Sequence, residues 1–224
     1  MSQVLVVAAH PDDEALGAGA TLARHTLSGG AVHILFLTDG VAARCSVDAK
    51  ARDARRAAAT AAAEILGAKP PRYFDGPDNQ LDTLPLLTIA KAVEKAIAEV
   101  NPAIIYTHHG ADLNVDHRVA HQAVLTAARP MPGMPVRAIY AFEVPSSTEW
   151  SSPAIGEPFH PTRFVDATRT LDRKTAALAA YKEEMRPFPH PRSIEAVQAL
   201  MRWRGATVGC ETAEAFEVIR DIVR

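Results

Sequence analysis

Two stretches of the chain concentrate the side chains that bind metals and move protons. The first is His10-Pro11-Asp12-Asp13-Glu14 and the second runs Thr107-His108-His109-Gly110-Ala111-Asp112-Leu113-Asn114-Val115-Asp116-His117, with His121 four residues further on. A catalytic divalent metal needs a few neutral imidazoles and carboxylates converging on one point, with a position left for water. His10, Asp13 and His117 make such a set. Pro11 restricts the backbone between His10 and Asp12, so His10 and Asp13 can be aimed together while Asp12 stands beside them as a free carboxylate able to act as a general base. A plainer reading competes: acidic residues just after a strand cap the next helix, and two polar loops far apart in sequence need not converge. Capping explains neither the histidines nor their coincidence.

The elements that would position these residues follow from hydrophobic periodicity. Residues 4–9 form a short apolar, β-branched run suited to a strand buried on both faces, followed by the HPDDE turn and a small-residue helical stretch over 15–26. Residues 32–37 repeat the strand signal up to Thr38-Asp39-Gly40, and 48–66 form an Ala- and Arg-rich helix stopped by Gly67. Tyr73 and Phe74 mark a third strand, 84–100 a helix closed by Asn101-Pro102, 103–107 another buried strand and 116–128 a helix. Strands alternating with crossover helices predict an α/β fold with a mostly parallel sheet flanked by helices, in one domain spanning 1–224. Ligands of such sheets bind outside the carboxyl ends of the strands, where both clusters fall.

Past residue 128 the pattern loosens. RPMPGMP is a connection, 136–144 a strand, and PSSTEWSSPAIGEPFHPTR a long irregular loop of the kind that forms lids or binding walls. A helix is expected over 171–185, a break at RPFPHPRS, a helix over 193–202, and either a strand or a helix over 214–222.

Composition narrows the class. The chain has 224 residues, 48% of them hydrophobic, and a formal net charge of −2, which suits a globular domain able to bury a core without disulfide or metal staples. Balanced charge offers no broad electrostatic reason to bind nucleic acid. Two cysteines, Cys45 and Cys210, are too few for a disulfide framework and fit a reducing compartment. The N-terminal apolar run has no basic leader and soon ends in charges, and no later segment has membrane-spanning length, so a cytoplasmic location is expected.

The motifs AAHPDDE and DLNVDHR, in this order and context, resemble those of the PIG-L/LmbE-like deacetylase family. Weaker similarity runs through FDGPDNQL, the helix with Lys174 and Tyr181, PHPRS and the closing AEAF. The resemblance implies a Rossmann-like fold, bound zinc and hydrolysis of N-acetyl groups from amino sugars or their conjugates, often in homo-oligomers. Carried over by position, His10, Asp13 and His117 are metal ligands and Asp12 is the general base. Fe²⁺ fits the same donor set. A different amide as substrate, or a metal- or sugar-binding protein without catalysis, are the alternatives; an unliganded Asp12 beside the ligands argues for catalysis.

The chain departs from the family pattern three residues before His117, where several members carry a histidine and this chain has Asn114. An amide donates a hydrogen bond but is no imidazolium acid, so oxyanion stabilisation passes to Asn114, to His190 or to His160; Asn114 is otherwise an ordinary helix N-cap. Asp116 is expected to position Asn114, Arg118 or the loop, and Glu14 to support the site or cap the helix. His121 shares a helical face with His117 and is expected to pack. His108 and His109 are either structural or in contact with substrate, and His25 and His33 structural or at the surface. Arg55, in a helix that also carries Arg52 and Arg56, and Arg192 on the Pro-flanked PHPRS turn are candidate substrate contacts; a solvated helix face and loop punctuation are the competing readings. Trp150 and Trp203 either stack on a sugar or, more commonly for tryptophan, help fill the core.

Overall fold

The computed structural model describes residues 2–41 and 49–223. The chain runs β1 (Gln3–Ala8), α1 (Asp13–Leu27), β2 (Ala31–Thr38), α2 (Ala49–Leu66), β3 (Arg72–Gly76), α3 (Leu86–Val100), β4 (Ile104–His108), α4 (Val115–Ala127), β5 (Ala138–Phe142), β6 (Arg163–Asp166), α5 (Leu171–Ala180), α6 (Ile194–Ala206) and β7 (Ala213–Asp221). Single 3-10 turns lie at Leu81–Thr83 and Thr148–Trp150. The seven strands make one sheet in the order β3-β2-β1-β4-β5-β7-β6. β1 to β5 are parallel, and β7 runs antiparallel to both β5 and β6.

Strand alternation builds two cores. Val4, Val6 and Ala8 of β1, with Val32, Ile34 and Phe36 of β2, pack on the face covered by α1, α2, α5 and α6. Leu5 and Val7, with Leu35 and Leu37, pack on the opposite face against α3 and α4. A central strand buried on both faces is why residues 4–9 read as a continuous apolar run. α1 lies close to the sheet because it has no side chain at Gly17, where a Cβ would collide with the Phe142 ring.

The chain winds from β1 outward through β2 and β3, then returns to the other side of β1 with β4. The carboxyl ends of β1 and β4 therefore face a topological switch point, the place where such sheets bind ligands. HPDDE follows β1 and the 109–114 loop follows β4. The closing segment is a strand. Two departures from the sequence reading have a visible physical cause. The helix expected over 171–185 ends at Ala180, because the chain turns there to send Tyr181 to Glu14 and Glu184 to Arg55. The expected long loop gives way at Arg163 to the four-residue β6, too short to show a period. Asp48 and Cys45 lie outside the described residues. Trp150 and Trp203 are both exposed, 53% and 65%, so neither fills the core. No helix among the described residues is long and apolar enough to cross a membrane.

Candidate metal centre

β1 delivers His10 at its end, and the chain then makes an abrupt turn. Asp12 has φ 127° and ψ −28°, a conformation that costs an L residue strain and persists only where its surroundings hold it. Several contacts do so. The Asp12 N–H donates to Glu14 Oε2 (3.0 Å), its carbonyl accepts from Leu16 N (2.9 Å), and Arg55 Nη1 donates to the neighbouring Pro11 carbonyl (2.8 Å). Glu14 is in turn held by the Tyr181 hydroxyl (2.6 Å), and burial pushes its carboxyl up to about 8 despite that hydrogen bond. Glu14 thus supports the turn from behind.

The turn and the start of α4 bring His10, Asp13 and His117 together, all three buried. His10 Nδ1 and Asp13 Oδ2 lie 3.1 Å apart, His117 Nε2 and Asp13 Oδ2 3.3 Å, and His117 Nε2 and His10 Nδ1 3.3 Å. Bonds of about 2.0–2.2 Å in tetrahedral arrangement around zinc separate donors by about 3.3–3.6 Å, so the triangle is close to the size such an ion requires. The second oxygen of Asp13 is buried and has no hydrogen-bond partner among the described residues.

The outer nitrogen of each imidazole meets a carboxylate. His117 Nδ1 lies 3.1 Å from Asp112 Oδ1, and His10 Nε2 lies 3.2 Å from Asp116 Oδ2 and 3.3 Å from Asp78 Oδ1. Such carboxylates fix ring orientation and tautomer, leaving the inner nitrogen to face a metal. Asp112 also accepts the Asn114 N–H (2.9 Å) and the hydroxyls of Ser147 and Thr148. Burial disfavours a charged imidazole here, yet Asp13 and Asp112 override it and raise His117 to about 9; Asp116, Asp13 and Asp78 likewise raise His10. The carboxylates give the pocket a field that favours a cation. His10, Asp78 and Asp116 also form a possible ligand group, but His10 Nε2 would then face away from Asp13 and His117.

Asp12 stands apart from the donor triangle with its own partner, Arg192 Nη1, 2.9 Å from its Oδ2. Burial raises the Asp12 carboxyl to about 6, with Arg192 and Arg55 opposing and Asp13 and Glu184 adding to the rise. A small cavity of about 50 Å³ opens here, lined by His10, Asp12, Asn79, Asn114, Arg55 and Arg192 among others. That is room for a few water molecules or a very small group.

The structure therefore gathers His10, Asp12, Asp13, Asn114, His117, Arg55 and Arg192. Asn114 Oδ1 caps α4 by accepting the Asp116 N–H (2.8 Å), and its Nδ2 donates to Asn79 Oδ1 (3.0 Å). Arg55 pairs with Glu184, Arg52 with Asp39, and Arg56 lies over the Tyr73 ring. His190 Nδ1 accepts the N–H of Arg192, so His190 shapes the turn that carries the arginine. His160 lies in a separate groove of about 450 Å³ with His109, His121 and Glu217. His108 stacks on His117 at 3.9 Å and accepts the Ala9 N–H, while His121 Nδ1 faces the His108 carbonyl. His25 and His33 pair with the Tyr106 hydroxyl and Gln3, respectively.

Asp116 corrects the sequence reading: its carboxylate faces His10 and accepts the N–H groups of Asn79 (2.7 Å) and Leu81 (3.0 Å), fastening the FDGPDNQL segment over the site. Asp78, Asp112 and Glu184 escaped that reading. A signal existed for the first two, since both lie in polar loops that follow strands at the same sheet edge.

A family model described as PIG-L, GlcNAc-PI de-N-acetylase, matches residues 5–128. The chain is 33% identical over 196 residues to the 4-oxalmesaconate hydratase of Pseudomonas putida, covering 78% of this chain and 70% of that protein. It is 30% identical over 212 residues to the probable N-acetyl-alpha-D-glucosaminyl L-malate deacetylase 2 of Bacillus cereus, covering 89% and 93%. Among solved structures, the conserved protein TT1542 of Thermus thermophilus superposes with a TM-score of 0.79 at 27% identity, over 100% of this chain and 97% of that one.

Proposed function

The chain belongs to the PIG-L family, and from that premise we propose that it is a metal-dependent hydrolase removing the N-acetyl group of an amino sugar or sugar conjugate. The observation that carries this reading is the buried triangle of His10, Asp13 and His117 with the unliganded Asp12 beside it. These three residues would hold Zn²⁺, with Fe²⁺ the alternative for two imidazoles and one carboxylate. The ion, when bound, supplies an acidified water and a polarised acetyl carbonyl.

Asp12 accepts the proton of the attacking water as its oxygen bonds to the carbonyl carbon and the carbonyl π pair moves onto oxygen. The same proton then passes from Asp12 to the amide nitrogen as the C–N bond breaks, giving acetate and the free amine. A carboxyl near 6 suits both halves, basic enough to take the proton and acidic enough to return it. Asp112, Asp116 and Asp78 keep the two imidazoles aimed, and Arg55, Asn79 and Asn114 form the wall that a sugar would meet. His190 acts through the position of Arg192. A cytoplasmic location, expected from the sequence, and assembly of like chains, implied by the family resemblance, belong to the same proposal.

A second reading has one observation in its favour. With a hydratase among the relatives, the same base and metal could add water across a carbon–carbon double bond conjugated to a carbonyl. Both are separated by assaying a panel of N-acetylated amino sugars, free, glycoside-linked and nucleotide-linked, for acetate release by the zinc-loaded and the chelator-treated protein. The proposal expects metal-dependent acetate from at least one sugar. Metal bound with no acetate from any, alongside hydration of an unsaturated acid, would reverse it.

A further inference from the structure

Resting on the hydrolytic reading above, we propose that Arg192 is a catalytic residue whose guanidinium holds the oxyanion of the tetrahedral intermediate, in the role the chain leaves without an imidazole at Asn114. The other candidates lie outside this cavity or are already engaged within it. His160 lies in the separate groove, His190 has turned its Nδ1 onto the Arg192 backbone, and Asn114 is tied to α4 and to Asn79 and carries no charge. Arg55 is clamped between Glu184 and the Pro11 carbonyl.

Arg192 lines the cavity with Asp12 and His10, and its side chain is anchored on two sides. Nε donates to Ser146 Oγ (2.6 Å), and Nη1 donates to Asp12 Oδ2 (2.9 Å) and approaches Glu184 Oε2 (3.4 Å). Among the described residues Nη2 makes no hydrogen bond. A planar fork fixed at Nε and Nη1 has its remaining donors aimed before substrate arrives, the condition under which an oxyanion donor is most effective. The same group therefore holds the base through Nη1 and receives, through Nη2, the charge that the carbonyl oxygen gains when water adds to its carbon. When the C–N bond breaks that charge returns to the carbonyl π bond and the product acetate leaves.

The test uses methylphosphonate, a tetrahedral oxyanion independent of the sugar, titrated into the metal-loaded protein and followed by ³¹P NMR. Arg192→Gln is expected to weaken it by at least about tenfold, the value of a hydrogen bond to a charged group, and to lower kcat by about 100-fold with little change in KM. Arg192→Lys keeps the charge and should recover part of the affinity, with thermal melting confirming that both variants fold. The same loss of phosphonate affinity is expected in an Asp12→Asn background, because the contact is direct. Unchanged affinity in Arg192→Gln, or a loss seen only while Asp12 is present, would overturn the assignment and leave Arg192 as a positioning residue. Acetate release without phosphonate loss thus removes the role of Arg192 alone, whereas no acetate from any N-acetyl sugar removes the hydrolytic reading and this oxyanion with it.

Discussion

At the scale of single residues, each imidazole of the donor triangle is aimed by a carboxylate that is distant in sequence or lies on a different turn. Asp112 carries the most: it accepts the Ser147 and Thr148 hydroxyls and the Asn114 N–H, and its Oδ1 lies 3.1 Å from Nδ1 of the His117 ring. Asp112→Ala should leave the fold intact and weaken Zn²⁺ binding by about 10–100-fold, read by competition with a coloured chelator. Equal affinity in the variant would show that His117 needs no such support. The clustering of His10, Asp13 and His117 was legible, because their residue types and the turn after β1 constrain what they can do. Their supports were not. Asp116 is adjacent to His117, yet neighbours on a helix point apart, so its carboxylate reaches His10 across the site instead. Asp78 arrives from the segment after β3, a meeting that only the sheet order brings about.

At the scale of elements, the alternating pattern gave the order of strands and helices through α4, and the placement of the two loops that carry the candidate site follows from it. The C-terminal third was less legible, since β6 and the end of α5 are decided by tertiary partners. One such partner is the buried pair of Lys174 on α5 and Glu214 on β7, whose atoms lie 2.6 Å apart. Glu214 accepts the mid-helix N–H groups of Ala20 and Thr21, and Lys174 donates to the Leu16 carbonyl, so the pair joins α5 and β7 to α1. Lys174→Met should destabilise by about 3–5 kcal/mol in urea unfolding because it leaves a buried carboxylate without its cation. Pairing it with Glu214→Gln should recover part of that loss; no recovery would locate the cost in packing.

The groove beside β7 is expected to have its own pH dependence. Burial works against charge on His109, but Glu217 outweighs it and raises the imidazole above 6.5, and Glu217 is itself lowered below 4.5 by His109 against the effect of burial. His109 faces Glu217 and the Glu157 carbonyl, and Glu217 accepts the His160 N–H. A raised histidine stabilises fully below its unfolded pKa and loses the effect as pH rises through the folded value; a lowered carboxylate does the reverse on the acid side. Protection of the His160 amide from hydrogen exchange, corrected for intrinsic rates, should therefore be greatest between about pH 4.5 and 6.5 and decline on either side. A flat profile would mean that the 157–160 segment is held by other contacts.

At the scale of the whole molecule, the sheet brings two loops to one switch point, and the antiparallel β7 with its flanking helices closes the other side. The PHPRS turn between α5 and α6 returns Arg192 to a carboxylate near the chain's start. On the hydrolytic reading, this arrangement adds water to an acetyl carbon. Zinc-loaded protein acting on a responsive N-acetyl sugar in ¹⁸O-labelled water should place one water-derived ¹⁸O in the released acetate and none in the sugar amine. Asp12→Asn, with its metal still bound, should slow that reaction by about 100-fold or more. Acetate released without label, water oxygen found instead in a hydrated carbon skeleton, or near-normal labelling by Asp12→Asn would contradict it.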